Sequence, residues 1–177
     1  KLYDTTFTTK DYQKSTVDRE NQNTVLKTDM DNYIGEITPT DHSADIVNLL
    51  NSFKPDLVAF NTVGHNWFFA QELLEVVKKT GDYTTLVGGV FPTICPDDVL
   101  DDPHVDMICV GDGEESIVEL CEKLDSNKPI GNVPNIWYKE NGTKNRGDKS
   151  LVQDMDLAPY QDWELWDKRH LWKAFVG

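Results

Sequence analysis

The sequence predicts an α/β domain built on a doubly wound, mainly parallel sheet. Three observations predict it: apolar runs of strand length at 56–60, 84–87 and 105–110, helical apolar periodicity between and after them, and glycines directly behind two of the runs, at Gly88, Gly89 and Gly111. Short apolar strands that alternate with amphipathic helices pair in parallel, and the crossover helices then cover both faces of the sheet.

Taken in order, residues 1–6 read as a short strand, and 7–40 as a long irregular stretch rich in Thr, Asp and Asn. Asp41 or Ser43 is placed to cap a helix whose Ile46, Leu49, Leu50 and Phe53 recur at helical spacing, and Pro55 forces its exit. The run 56–60 has the pattern of a strand buried on both faces. Asn66 is a candidate cap for a helix over 67–79, where Phe69, Ala70, Leu73, Leu74, Val76 and Val77 form a wide apolar stripe; Lys78 and Lys79 suit its C-terminal dipole, and Gly81 ends it. A strand follows at 84–87, then a brief helix at 96–100 and a strand at 105–110. The next helix, over 114–124, carries Glu114 and Glu115 in its first turn and turns Ile117, Leu120, Cys121 and Leu124 inward. Residues 135–138, followed by Asn141 and Gly142, predict a β-hairpin, expected as a small appendage outside the main sheet. The last stretch, 152–177, holds Trp163, Trp166 and Trp172 and reads as a linker that packs against something. The expected organisation is thus a domain at 1–130, the hairpin at 131–150 and the linker at 151–177.

Composition narrows the function classes. At 177 residues, 38% apolar and with five Trp, the chain has enough for a single core. Lys and Arg total 17 against 31 Asp and Glu, and a net charge of -14 repels a phosphate backbone, which argues against nucleic acid. No apolar stretch approaches a membrane span, and the first ten residues lack the apolar core of a signal peptide. The chain therefore reads as soluble and cytoplasmic, and its start at Lys1 as the mark of a fragment. Cys95, Cys109 and Cys121 lie 14 and 12 positions apart, which fits neither a disulfide framework nor a metal knuckle, so they are read as reduced and mostly packed thiols.

Ligands of an open parallel sheet bind beyond the carboxyl ends of its strands. Three loops leave such ends here: 61–66, 88–95 and 111–115. The first offers Thr62, Val63, Gly64 and His65 ahead of a helix N-terminus. In the second, Gly88 and Gly89 leave the backbone bare enough for a flat body or an extended tail to lie against it.

The runs Lys54-Pro-Asp-Leu-Val-Ala59, Leu86-Val-Gly-Gly-Val-Phe-Pro-Thr93, Asp97-Asp-Val-Leu100, Val105-Asp-Met-Ile-Cys-Val-Gly-Asp-Gly-Glu-Glu115 and Asp154-Met-Asp-Leu-Ala-Pro159 occur in order on this scaffold. In that set and order the chain resembles the N-terminal, cobalamin-binding domain of cobalamin-dependent radical S-adenosylmethionine proteins, a group that includes the anaerobic magnesium-protoporphyrin monomethyl ester cyclase-like proteins. The resemblance implies a Rossmann-like fold and a corrinoid over the strand ends, its nucleotide tail running beside Gly88 and Gly89. The implied cofactor-binding residues are Thr62, Val63, Gly64, His65, Gly88, Gly89, Val90, Pro92, Thr93, Gly111, Gly113 and Glu114. Phe91 stands where members often carry His.

Many other cobalamin domains supply a cobalt ligand from Asp-x-His-x-x-Gly. The segment Asp102-Pro-His104-Val-Asp-Met107 imitates its first half, but Met107 replaces the Gly and a strand follows where one should precede, so no metal ligand is expected there. His65 reads as a polar loop residue, and His42 and His170 suggest no chemistry. The resemblance further implies that S-adenosylmethionine and a 4Fe-4S cluster belong to a barrel absent from this chain, because a closely spaced cysteine trio is missing, so the chain alone is expected to be catalytically silent. Docking of the three C-terminal Trp on that barrel is a companion expectation. Members also begin with a strand and helix upstream of Lys1, so a sheet of four or fewer main parallel strands and self-association are expected. A flavodoxin-like flavin or nucleotide binder and a receiver-like signalling domain are the alternatives. The Thr-rich stretch 5–9 lacks the glycine of a flavin phosphate loop, and Val110 and Gly111 stand where a receiver needs a Lys.

Overall fold

The computed structural model describes residues 1–8, 21–22, 40–151, 156 and 158–171, which form two compact units, Ser43–Ala158 and Lys1–His42 with Pro159–Gly177. In the larger unit the order is α1 (His42–Phe53), β1 (Leu57–Asn61), a 3-10 turn (Gly64–Asn66), α2 (Trp67–Thr80), β2 (Thr84–Gly88), α3 (Val90–Ile94), α4 (Pro96–Asp101), β3 (Met107–Cys109), α5 (Glu114–Asp125), β4 (Ile136–Glu140) and β5 (Thr143–Arg146). Among the described residues five strands form one sheet in the order β1-β2-β3-β4-β5, with β1, β2 and β3 parallel and β4 and β5 antiparallel.

Both faces of this sheet are covered. On β2, Val87 joins a cluster with Trp67, Ala70 and Leu74 of α2, Val99 and Leu100 of α4, and Ile108 of β3, while its neighbour Leu86 joins Met107, Cys109, Leu120 of α5, Val133 and Ile136 on the opposite side. The period-two alternation of strand side chains therefore divides helices α2 and α4 from α5, which is the doubly wound arrangement the pattern predicts. The registers Leu86↔Met107 and Val87↔Ile108 keep the two clusters in step across the strands.

Several local expectations are corrected. The run at β1 is half-exposed, with Ala59 exposed; among the described residues it pairs with β2 alone. The hairpin is part of the sheet: β4 pairs β3 through Met107↔Tyr138 and Cys109↔Ile136, and its turn uses the left-handed conformations of Asn141 and Gly142. Residues 1–6 form no strand; Thr6 N–H donates to the Asp4 carboxylate and Thr8 turns back onto the Thr5 carbonyl, local bonds that compete with strand pairing. Cys121 is exposed, and the inward residues of α5 are Ser116 and Leu120 with Ile117 and Leu124 half-buried. Asn66 accepts from the Val63 N–H at 2.9 Å and so closes the 3-10 turn rather than capping α2.

The smaller unit gathers residues 1–8 and 158–171. Phe7 is 2% exposed, with the His170 ring edge-on at 4.8 Å and the Arg169 guanidinium over its face at 4.5 Å. Asp4 meets the His170 ring nitrogen at 2.6 Å. Burial works to raise the Asp4 pKa, but the bond from Thr6 N–H and the His170 partner outweigh it and hold the carboxyl below its ordinary value. Trp163 is exposed, and Trp172 and residues 154, 155 and 157 of the 154–159 motif lie outside the described residues. Among the described residues no helix is long and apolar enough to cross a membrane.

Candidate functional site

The three loops converge at the carboxyl ends of β1, β2 and β3, and a chain of hydrogen bonds ties them into one surface. Thr62, 1% exposed, donates both its N–H (2.9 Å) and its hydroxyl (3.3 Å) to the Gly88 carbonyl. Its own carbonyl accepts from Phe91 N–H at 3.1 Å. The first loop is thus fastened to the second, and Thr62 has no hydroxyl proton left for a ligand.

Gly89 explains the fastening. Its φ is 99° and ψ -165°, a region almost closed to other residues, and a Cβ built there would lie 2.3 Å from Asn61 Oδ1 and 2.5 Å from the Thr62 carbonyl oxygen. The absent side chain makes room for the neighbouring loop. Gly88 is different: its Cβ would sit 3.8 Å from the Cys109 Cβ and 4.0 Å from the Phe60 carbonyl, which is ordinary contact. Gly111, at φ 94°, has nothing within 4 Å of such a position and faces open space.

The expected loop 88–95 contains α3, which lies across the strand ends. Pro92 of α3 is buried, and Phe91 stacks obliquely on Trp67 with ring centroids 5.5 Å apart. Val90 and Ile94, 56% and 71% exposed, and Phe68 at 76% leave an apolar rim on this end of the unit. Gly64 comes against Phe91, and His65 is exposed on the 3-10 turn. Thr93 donates to the Gly89 carbonyl (2.9 Å) and accepts from Gly111 N–H (3.0 Å), joining the second loop to the third.

In the third loop Gly113 precedes α5 and lies close to the Cys109 sulfur, and Glu114 is exposed in the first turn. Burial, reinforced by Glu114 and Asp112, pushes the Cys109 thiol up to about 11. At neutral pH it is a protonated thiol, unsuited to nucleophilic or ligand chemistry. Beneath the loop sits a residue with no signal in the sequence. Asn135, 3% exposed and at φ 60°, donates to the carbonyls of Asp112 and Ser150 (2.8 Å each) and accepts from Ser150 N–H at 2.8 Å.

Asp102 and His104 lie just before β3, at the amino end of the sheet. Asp102 accepts from Gln71, from His104 N–H and meets the His104 ring at 3.1 Å, while Asp106 accepts from Thr85 and Lys78. This cluster braces the end remote from the three loops. Among the described residues no three His, Cys, Asp or Glu converge as a metal site.

Comparison with known proteins gives these features a family. The B12 binding domain model matches residues 26–121. Among curated proteins, the chain is 26% identical over 125 residues to "Uncharacterized methyltransferase PH0819" of Pyrococcus horikoshii, covering 69% of this chain and 27% of that protein. It is 28% identical over 104 residues to the "Cytidylyl-2-hydroxyethylphosphonate methyltransferase" of Streptomyces wedmorensis, covering 56% of this chain and 19% of that one. The chain thus spans only a minor part of the curated relatives' own lengths. Among solved structures, the cobalamin-dependent S-adenosylmethionine radical enzyme OxsB with aqua-cobalamin bound superposes with a TM-score of 0.55 at 19% identity, over 68% of this chain and 18% of that one. The radical S-adenosylmethionine methyltransferase TsrM from Kitasatospora setae, with cobalamin and a [4Fe-4S] cluster bound, gives 0.53 at 13% identity, over 67% and 24%. These structural likenesses establish the fold, and the matches lend no support to the flavodoxin-like or receiver-like alternatives. Because the family model takes in more than half of the chain, including all three loops, the chain belongs to the B12-binding domain family.

Proposed function

We propose that this chain holds a corrinoid against the carboxyl ends of β1, β2 and β3, and that it serves a radical S-adenosylmethionine methyltransferase of which it is one domain. The observation that carries the reading is where the family match falls: it runs to residue 121 in α5 and so contains the whole hydrogen-bonded loop surface. The residues suit the group. A corrinoid has a broad, largely apolar body fringed with amides, and the surface offers Val90, Ile94 and Phe68 as an apolar rim, with exposed His65 and Glu114 as polar partners and open space at Gly111. One part of the expected layout changes. The Gly89 side facing Asn61 and Thr62 is already filled, so a tail would pass Gly88 and Gly111 rather than enter between Gly89 and the first loop.

Cobalamin, when bound, supplies a cobalt centre able to carry a methyl group. The residues of this chain position and shield it, and S-adenosylmethionine and the iron-sulfur cluster are assigned to a barrel elsewhere in the full-length protein. Both curated relatives are named methyltransferases, which favours methyl transfer over anaerobic cyclisation. The three free cysteines accord with a reducing compartment, the cytoplasm.

The test is direct: purified chain mixed with hydroxocobalamin and passed through a desalting column is expected to carry corrin absorbance with the protein fraction. Complete separation of the two, or a retained flavin spectrum, would overturn the reading. Self-association belongs to the same proposal, since among the described residues β1, with Leu57, Val58, Ala59 and Phe60, has β2 as its one pairing partner. Light scattering is expected to show mass rising with concentration, and a strict monomer throughout would refute it.

A further inference from the structure

We propose that Thr93 acts as a positioning residue that couples two cofactor loops, and that its hydroxyl donates no hydrogen bond to the cofactor. The inference rests on reading the loop surface as the corrinoid site. A threonine hydroxyl has one proton to donate and two lone pairs to accept with. In Thr93 the proton goes to the Gly89 carbonyl at 2.9 Å, and one lone pair takes the Gly111 N–H at 3.0 Å. The hydroxyl therefore has no proton for a phosphate oxygen or an amide carbonyl, the acceptors a corrinoid would present.

What the bond does is hold Gly111. This residue sits at φ 94°, and apart from its chain neighbours nothing lies within 4 Å of where a side chain would be, so no group packed on that side holds its conformation. Its neighbour Val110 is fixed by an N–H bond to the Asn135 carbonyl at 2.8 Å, and the next peptide is fixed by Thr93. Thr62 fastens the first loop to Gly88 and Thr93 fastens the third loop to Gly89, so two threonines on either side of the glycine pair set the spacing of all three loops before any ligand arrives. A surface ordered in advance binds more tightly because the ligand does not have to order it.

The test compares Thr93→Val, which keeps the shape and removes the hydroxyl, with Thr93→Ser, which keeps the hydroxyl; Thr93→Ala serves if the valine variant misfolds. Loss of one modest hydrogen bond predicts that the Gly111 amide exchanges with solvent roughly three- to tenfold faster in the valine or alanine variant and at the wild-type rate in the serine variant. The hydroxocobalamin dissociation constant is expected to rise by a similar factor and to be restored by serine. Unchanged Gly111 exchange without the hydroxyl would overturn the coupling, and faster exchange with unaltered cobalamin affinity would overturn its role in binding. Because amide exchange is read without cofactor, a wild-type chain that retains no cobalamin would defeat the functional reading alone.

Discussion

Replacing Gly89 by alanine is expected to destabilise the chain by about 2–5 kcal/mol and to abolish cobalamin retention. Two effects add. The backbone at φ 99° and ψ -165° is strained for any residue with a Cβ, and that Cβ would lie 2.3 Å from Asn61 Oδ1 and 2.5 Å from the Thr62 carbonyl oxygen. Asn61 can swing aside, but the Thr62 backbone is held to Gly88 and Phe91 and moves only if the loops part. Against a total stability of about 5–15 kcal/mol this is a large fraction. Gly88→Ala is the control: its added methyl meets ordinary contacts and is expected to shift stability by less than about 1 kcal/mol. Urea unfolding with an unchanged slope measures both, and equal losses at the two positions would show that close loop contact is not what Gly89 provides.

Asn135→Ala is expected to destabilise by about 2–4 kcal/mol, measured the same way. The side chain joins three stretches that meet nowhere else in sequence, and truncation strips partners from the carbonyls of Asp112 and Ser150 and from the Ser150 N–H. Alanine also tolerates the left-handed conformation at φ 60° less well than asparagine. Asn135→Asp is expected to be worse still, because a carboxylate has no proton for the two carbonyls and adds charge to a cleft already lined by Asp112 and Glu115. A mild effect of the aspartate change would mean that the amide protons are not what holds the loop.

Where the chain could be read in advance, the reason is local periodicity. The stripe on α2 is legible because Ala70, Leu73, Leu74 and Val77 recur over about two turns, and all four are buried. The parallel pairing of β1, β2 and β3 and the three loops at their carboxyl ends follow from the same alternation. Helix α3 was not legible: five residues containing Pro92 are too short for a period to show. Nor was the half-exposure of β1, since an apolar run looks alike whether its strand is fully or half buried. Gly89 was recognised as special for a reason the structure revises, because bareness toward a ligand and bareness toward another loop leave the same mark in sequence. Asn135 had no signature, its partners lying 23 and 15 positions away.

The two outer strands of the sheet differ in chemistry. On β5, Lys144 reaches Asp97 and Asp101 at 3.3 and 2.7 Å and Arg146 reaches Asp97 at 2.8 Å while covering the Trp137 ring, so that side is dressed in charge. On β1 the sequence Leu-Val-Ala-Phe has neither charge nor proline. Among the described residues, then, β5 carries the charged side chains that discourage a further strand from pairing, and β1 carries none of them.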